Sequence, residues 1–164
     1  AARLRRRMLS DVWSGFQQAC EGVYIGGVVV ACREGPLRDV RITHILNVTP
    51  NEKDFFPNSF KYKRIPVNDT SAGKLSAHFE PSYNFMREAI AGGGRVFVHC
   101  SAGVSRSASL VIYYMMRTHK MHLLAAYKKL KMSRGCVAPN FAFWQQLVEA
   151  EASLGAGGSC SVLE

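Results

Sequence analysis

Residues 99–107 place a nucleophile and a cation around a run of small residues, with the sequence His-Cys-Ser-Ala-Gly-Val-Ser-Arg-Ser. The apolar residues before this segment, 95–99, predict a buried strand, and residues 107–120 after it predict a helix. A small-residue loop between a strand and a helix N-terminus can turn its backbone N–H groups towards an oxyanion. The segment therefore predicts a phosphate-binding loop, whose candidate substrate-binding residues are Ser101, Ala102, Gly103, Val104, Ser105 and Arg106.

The cysteine and the arginine of this loop predict nucleophilic chemistry at a bound phosphate. The helix dipole and the guanidinium of Arg106 both favour a thiolate at Cys100. A planar guanidinium can also bind two phosphate oxygens at once, which an ammonium group cannot do. We expect Cys100 to attack phosphorus and form phosphocysteine, while Arg106 and the loop amides stabilise the equatorial oxygens. The competing interpretation is a strand–turn–helix with a buried structural cysteine.

Length and composition indicate one globular domain and no metal site. The chain has 164 residues, of which 48% are hydrophobic, and no apolar run approaches the roughly 20 residues that a membrane span needs. No secretory signal is recognisable. The five cysteines are widely spaced and form no Cys-x-x-Cys pair or Cys/His cluster. We therefore expect no metal, no cofactor and a reducing intracellular location, cytoplasmic or nuclear; the cysteines are Cys20, Cys32, Cys100, Cys136 and Cys160.

The chain carries a strong positive charge, with a formal net charge of +9. Part of it lies near the N-terminus and part between residues 128 and 134. The simplest interpretation of each single charge is a solvated helix face, but the sum favours an anionic partner. Phosphoproteins, nucleic acids and anionic lipids would all qualify on charge alone. The basic residues are Arg3, Arg5, Arg6 and Arg7 in the first group and Lys128, Lys129, Lys131 and Arg134 in the second.

Strands alternate with helices along the chain, which predicts an α/β fold with a central, mostly parallel sheet flanked by helices. The cysteine loop would then lie at the carboxyl end of a central strand, where such sheets bind ligands. We expect a partly helical basic arm over residues 1–20, a catalytic domain over 21–153 and a flexible tail over 154–164. The arm's helical spacing includes Leu4, Met8, Leu9, Val12 and Phe16. Predicted strands cover 22–26, 42–48, 60–67 and 95–99, and predicted helices cover 28–40 with an interruption at Gly35-Pro36, 78–91, 107–120, 123–132 and 140–153.

Four further segments accompany the cysteine loop in a characteristic order. They are Val-Tyr-Ile-Gly-Gly at 23–27, Ile-Thr-His-Ile-Leu-Asn-Val at 42–48, Ile-Pro-Val-Asn-Asp at 65–69 and Ala-Pro-Asn-Phe-Ala-Phe at 138–143. With the loop, they resemble the cysteine-dependent protein phosphatases, and most closely the small atypical type of the dual-specificity branch, over about residues 21–153. The resemblance implies hydrolysis of phosphotyrosine and phosphoserine or phosphothreonine in phosphoproteins, with kinases as further partners and no nucleic acid.

The resemblance also implies a general acid, which the loop itself lacks. Asp69 lies just after the 60–67 strand, where the family carries its acid, and it would protonate the leaving oxygen and then activate water. Local sequence alone favours a turn-forming aspartate beside Asn68 and Thr70. Asp54 is the alternative acid, in a loop without a family match.

Three other polar residues have two interpretations each. The Ser107 hydroxyl could donate to the cysteine sulfur, or it could cap the following helix. Asn140 could orient the cysteine loop, as the resemblance suggests, or it could equally cap the last helix. We expect His99 to support the loop rather than to act as a base, because the positive surroundings already favour the thiolate.

Two other functions remain possible for this pattern. One is a phosphoinositide phosphatase or an RNA-end phosphatase. Phosphoinositide phosphatases of this type often carry lysines within the loop. In both types of enzyme, Thr-Gly commonly follows the arginine. Here the five residues between the cysteine and the arginine are uncharged, and Ser107-Ala108 follows the arginine. The other is a phosphate-binding pseudophosphatase, which the presence of Cys100, Arg106 and Asp69 argues against. The short segment before the loop predicts a shallow pocket, which would accept both aryl and alkyl phosphates.

Overall fold

The computed structural model of the protein describes residues 15–155. Within them, five strands form one sheet in the order β1-β2-β5-β3-β4. β1 pairs antiparallel with β2, and the β2–β5, β5–β3 and β3–β4 pairs are parallel. The strands are β1 (Phe16–Cys20), β2 (Val23–Gly26), β3 (His44–Asn47), β4 (Lys61–Arg64) and β5 (Val96–His99).

Helices cover both faces of this sheet, which confirms the predicted fold class. Strand residues alternate between two hydrophobic clusters, as the two-residue period of a strand requires. Val98 on β5 packs with the larger helices, whereas its neighbour Phe97 packs with the two short ones. The helices are α1 (Val28–Ala31), α2 (Glu34–Asp39), α3 (Phe79–Ala91), α4 (Arg106–His119), α5 (Leu123–Ser133) and α6 (Phe141–Ser153), and a 3-10 turn covers Ser76–His78.

Helix α4 directly follows the cysteine loop and fixes the position of that loop. Every residue from Arg106 to Met116 is buried, so α4 is enclosed on all sides by the sheet and by α3, α5 and α6. Since β5 lies between β2 and β3, the loop from β5 to α4 opens at the carboxyl end of the sheet's centre. Among the described helices, none is both long enough and apolar enough to cross a membrane.

The structure corrects three details of the sequence-based prediction. Phe16 to Cys20 form a strand paired with β2, so the helix predicted up to about residue 20 is wrong from Phe16 onwards. The helix break falls at Cys32–Arg33 rather than at Gly35-Pro36, because Pro36 lies in the first turn of α2, where its missing N–H is not needed. Leu154, placed in the predicted tail, is the C-cap of α6 and packs against the core. Residues 1–14 and 156–164, the rest of the predicted arm and tail, lie outside the described residues.

Candidate active site

Close packing of the cysteine loop against β2 depends on two glycines. Gly103 has φ +68°, and a Cβ there would lie 2.5 Å from the carbonyl carbon and oxygen of Gly26. A Cβ on Gly27 would lie 2.8 Å from Ser101 O, whereas the glycine lets the Val28 N–H donate to that oxygen at 3.0 Å. A larger residue at either position would push the loop away from the sheet.

The sulfur of Cys100 lies at the floor of this loop, just below the surface. The residue is 2% exposed, while Ser101 and Ala102 above it are exposed. The backbone N–H of Gly103 donates to Sγ at 3.2 Å, and Ser107 Oγ lies 3.1 Å from Sγ. The N-cap of α4 is Ser105, so the interpretation of Ser107 as the helix cap is wrong. The Ser107 hydroxyl is therefore positioned to stabilise a negative charge on the sulfur.

Arg106 is held along the loop by two neighbours. Its Nη1 donates to Val67 O at 3.1 Å and its Nη2 donates to Ser101 Oγ at 2.9 Å. Its Nε has no hydrogen-bond partner among the described residues, although the residue is only 8% exposed. A buried, oriented guanidinium with an unsatisfied N–H is suited to bind an oxyanion. The contribution of the Ser101 hydroxyl to this orientation was not predicted from the sequence.

Asp69 lies beside the loop, although it is 31 residues away from Cys100 in the chain. Its Oδ1 accepts hydrogen bonds from Ser105 Oγ at 2.8 Å and from Asn140 Nδ2 at 2.7 Å. The alternative acid, Asp54, instead accepts from Asn47 Nδ2 at 2.9 Å and lies 3.5 Å from Arg64 Nη2. The structure thus brings Asp69 to the loop and engages Asp54 in a separate polar network.

Asn140 links the last helix to this acidic group. Its Oδ1 accepts from the Phe143 N–H at 2.9 Å and so caps α6. Its backbone N–H donates to Ser105 Oγ at 2.9 Å, while its Nδ2 binds Asp69. Asn140 therefore caps the helix and also reaches the cysteine loop, through the hydroxyl of Ser105. That bridging hydroxyl has no sequence signal, because its partners lie 35 and 36 residues away.

His99 is fully buried beneath the loop. Its ring stacks on Phe97, with centroids 5.6 Å apart, and its Nδ1 lies 3.3 Å from Cys100 O. Burial lowers the pKa of His99 to about 4, since a charged imidazole there would lose its hydration. His99 is therefore neutral at physiological pH and lies packed beneath the loop. Its role as a supporting residue stays a prediction.

The structure also reverses the predicted setting of Arg134. Arg134 belongs to the basic group between residues 128 and 134, for which solvated helix faces were expected, yet it is fully buried. Its guanidinium donates to the carbonyl oxygens of Ala102 and Gly103, each at 2.9 Å. No periodic pattern distinguishes Arg134 from the neighbouring lysines.

Within residues 15–155 no group of three or more His, Cys, Asp or Glu side chains is arranged to hold a metal; the metal-free mechanism stays a prediction.

Comparison with known sequences identifies a phosphatase family. The family model described as "Dual specificity phosphatase, catalytic domain" matches residues 23–153. The chain is 39% identical over 139 residues to Dual specificity protein phosphatase 1-A of Xenopus laevis, covering 85% of this chain and 37% of that protein. It is 36% identical over 134 residues to Dual specificity protein phosphatase 1 of Arabidopsis thaliana, covering 82% and 68%. The chain thus spans little more than a third of the Xenopus relative's length.

Solved structures give the same result for the fold. The crystal structure of human DUSP28 superposes with a TM-score of 0.83 at 30% identity, covering 85% of this chain and 95% of that chain. The human tyrosine phosphatase-like serine/threonine/tyrosine-interacting protein gives a TM-score of 0.79 at 32% identity, covering 84% and 96%. The family match covers most of the chain, including the cysteine loop and Asp69, and the chain therefore belongs to the dual-specificity phosphatase family.

Proposed function

We propose that this chain is a protein phosphatase that hydrolyses phosphotyrosine and phosphoserine or phosphothreonine through a phosphocysteine intermediate. One observation carries the proposal: Ser105 connects the carboxylate of Asp69 to the loop whose backbone N–H faces the sulfur of Cys100. A nucleophile, an anion-binding loop and an acid thereby converge on one site. That convergence is what a two-step displacement at phosphorus requires.

In the first step, the Cys100 thiolate attacks phosphorus, and the phosphorus–oxygen ester bond breaks as the phosphorus–sulfur bond forms. Arg106 and the inward-facing amides of the loop neutralise the charge on the equatorial oxygens. Protonated Asp69 gives its proton to the leaving oxygen. Both hydrogen bonds to Asp69 fall on Oδ1, which leaves Oδ2 to carry that proton.

In the second step, a water molecule hydrolyses the phosphocysteine. Asp69, now ionised, accepts a proton from the water while the water oxygen forms its bond to phosphorus. The phosphorus–sulfur bond breaks and Cys100 leaves as a thiolate. Ser107 Oγ lies 3.1 Å from the sulfur and donates a hydrogen bond that stabilises this leaving group. The product is inorganic phosphate, and Asp69 is protonated again.

The exposed setting of the loop supports activity on both alkyl and aryl phosphates. Ser101, Ala102 and Asp69 lie at the surface, so a short phosphothreonine side chain can reach Cys100. The long 49–58 loop does not deepen the pocket with an aromatic wall, since Phe55 and Phe56 pack against the hydrophobic cluster beside α1 and α2. A shallow pocket gives phosphotyrosine no exclusive advantage.

The proposed partners are phosphoproteins and kinases, with no nucleic acid, and the proposed location is intracellular. The absence of charge on the five residues between Cys100 and Arg106 supports protein substrates over phosphoinositides, whose extra phosphates would need further cations nearby. The described cysteines are free thiols, which suits a reducing compartment and a nucleophile that must stay reduced. The net charge of +9 supports acidic or doubly phosphorylated substrates.

Peptide kinetics test the proposed function directly. Matched peptides that carry phosphotyrosine or phosphothreonine should both release phosphate with the wild-type protein, and Cys100→Ser should release none. Tyrosine activity without any threonine activity would reject dual specificity. Faster hydrolysis of phosphoinositides or RNA ends than of either peptide would favour the alternative enzyme. Phosphate binding without turnover on any of these substrates would identify a pseudophosphatase.

A further inference from the structure

The guanidinium of Arg134 lies behind the phosphate-binding loop, on the side away from the substrate. Arg134 is the C-cap of α5, and it is fully buried. Its Nε donates to Gly103 O and its Nη2 donates to Ala102 O, each at 2.9 Å. One planar side chain therefore binds two consecutive carbonyl groups of the loop.

Binding these carbonyls determines where the loop's N–H groups point. In a trans peptide unit, the C=O and the N–H of the next residue point in opposite directions. Since Arg134 holds Ala102 O behind the loop, the Gly103 N–H is directed to the front, where it donates to Cys100 Sγ at 3.2 Å. The same reasoning directs the Val104 N–H to the front, because Arg134 also holds Gly103 O.

Arg134 completes a set of contacts that holds the carbonyls of four successive loop residues. The Val28 N–H binds Ser101 O at 3.0 Å, and the Ala138 N–H binds Val104 O at 2.9 Å. Arg134 holds the two carbonyls between them. The first and last of these four carbonyls accept hydrogen bonds from backbone amides, whereas the middle two accept them from one side chain, that of Arg134. A substitution can therefore remove the middle contacts while the outer two remain.

The charge of Arg134 acts in the same direction as its hydrogen bonds. Burial lowers the pKa of Arg134, and negative charge on Cys136 and on Cys100 opposes that change. A buried cation at this place also attracts negative charge on the loop, because opposite charges interact more strongly away from water. Arg106 lies along the front of the loop, whereas Arg134 lies behind it.

We propose that Arg134 is a positioning residue of the phosphate site, which orients the Gly103 and Val104 amides and favours the Cys100 thiolate from behind the loop. The inference deepens the proposed function and rests on it. The guanidinium is anchored in turn by β1 and by the residue before that strand, since Nη1 donates to Gln17 Oε1 at 2.6 Å and to Gly15 O at 3.2 Å. The edge strand therefore supports the active-site loop from a distance of more than 80 residues along the chain.

Two measurements that need no phosphatase activity test this role. The first is the pH dependence of Cys100 carboxymethylation by iodoacetate, followed by mass spectrometry of the modified peptides. The second is the dissociation constant of inorganic phosphate, measured by calorimetry. Exposed Cys32 is the internal control, because its alkylation should not respond to Arg134. If the wild type binds phosphate but hydrolyses no phosphopeptide, the proposed function fails while these two measurements still decide the role of Arg134.

Arg134→Met and Arg134→Lys separate charge from geometry. In Arg134→Met, we expect the midpoint pH of Cys100 carboxymethylation to rise by about one unit. Phosphate binding should weaken about tenfold or more, because charged hydrogen bonds to the loop are lost. In Arg134→Lys, the midpoint should stay near the wild-type value, but phosphate binding should still weaken, because an ammonium cannot hold both carbonyls in one plane. A folded Arg134→Met protein with unchanged midpoint and phosphate affinity would overturn the proposal, and wild-type phosphate affinity in Arg134→Lys would overturn its geometric half.

A second pair of variants tests the role of Arg134 if Arg134→Met does not fold. Gln17 and Gln18 are neighbours on β1, but Gln17 contacts Arg134 and Gln18 is exposed. Gln17→Leu should weaken phosphate binding about twofold to fivefold and raise the Cys100 midpoint slightly, whereas Gln18→Leu should match the wild type. Equal results for these two variants would overturn the proposal.

Discussion

Substituting Asn140 by aspartate separates the two contacts that this side chain makes. Asn140 Oδ1 caps α6, and Asn140 Nδ2 donates to Asp69 at 2.7 Å. Aspartate caps helices as well as asparagine does, so Asn140→Asp keeps the first contact. It replaces the amide donor with a carboxylate oxygen that faces Asp69. In Asn140→Ala, by contrast, both contacts disappear.

The magnitudes follow from these contacts and from their exposure to solvent. Loss of a cap costs about 1 kcal/mol of unfolding free energy, so Asn140→Ala should be less stable by that amount and Asn140→Asp should be close to the wild type. The hydrogen bond to Asp69 is partly solvated, so we assign it about 1 kcal/mol, or about fivefold in the rate of acid-dependent steps. Two carboxylates about 4 Å apart repel by about 1 kcal/mol even at the dielectric constant of water.

Repulsion between the two carboxylates should change the pH profile in a known direction. Asp69 must be protonated to act as the acid, and a second negative charge beside it makes the shared proton harder to remove. The alkaline limb of kcat/KM should therefore move to higher pH by roughly 0.7 unit in Asn140→Asp, because 1.36 kcal/mol corresponds to one pH unit and the repulsion is about 1 kcal/mol. Asn140→Ala should lower kcat without this upward displacement.

The assay is a pH series of kcat/KM on a small aryl phosphate and on a phosphothreonine peptide, with urea unfolding of each variant. The control is the Asp69→Asn background, in which Asn140→Asp should have no further effect on the alkaline limb. An unchanged alkaline limb in Asn140→Asp would refute the assignment of Asp69 as the acid held by Asn140. Equal displacement in the Asp69→Asn background would assign the limb to another group.

The remaining predictions concern the nucleophile, the metal and the buried histidine. Cys100→Ser should lower kcat by more than about a thousandfold, roughly 4 kcal/mol, while phosphate binding measured by calorimetry persists; near-normal turnover would exclude Cys100 as the nucleophile. Chelation with EDTA should leave kcat unchanged, and activity that EDTA removes and a divalent ion restores would reject the metal-free mechanism. Unfolded chains protonate His99 below pH 6.5, but the folded protein does so only near 4, so the contribution of His99 to the unfolding free energy should be complete above pH 6.5 and fall by about 3 kcal/mol as the pH drops to 4. Urea unfolding of wild type and His99→Gln at both pH values measures this, and parallel pH dependences would contradict it.

The parts of the structure that the sequence predicted are local or periodic. Residues 99–107 are contiguous, so the order of cysteine, small residues and arginine indicates a strand–loop–helix without knowledge of distant contacts. The fold class was likewise predictable, since strands with apolar residues on both faces, such as Val96 to Val98, require helices on both sides of a sheet. Strand ends were less predictable: β3 is shorter than the apolar run 42–48, because hydrogen bonding to β4 and β5 sets its limits.

The features that the sequence did not predict depend on distant partners. Phe16 follows Val12 at helical spacing, yet pairing with Gly26 across the sheet makes it part of a strand. Arg134 follows three lysines in a basic helix, and its burial depends on carbonyl groups more than 30 residues away. Its charge suggests a surface residue, because charged side chains are seldom fully buried unless they are paired. Here the partners are backbone oxygens of a loop, which carry no residue-specific signal.

Ser105 shows how the fold coordinates the acid with the phosphate loop. It occupies the N-cap of α4, but its hydroxyl accepts no hydrogen bond from that helix. The hydroxyl instead donates to Asp69 Oδ1 and accepts from the Asn140 N–H. A serine that capped its own helix would occupy the first-turn amides that a phosphate needs. Because the hydroxyl instead donates to Asp69, those amides remain available to a bound phosphate, and the same residue holds the candidate acid next to the loop.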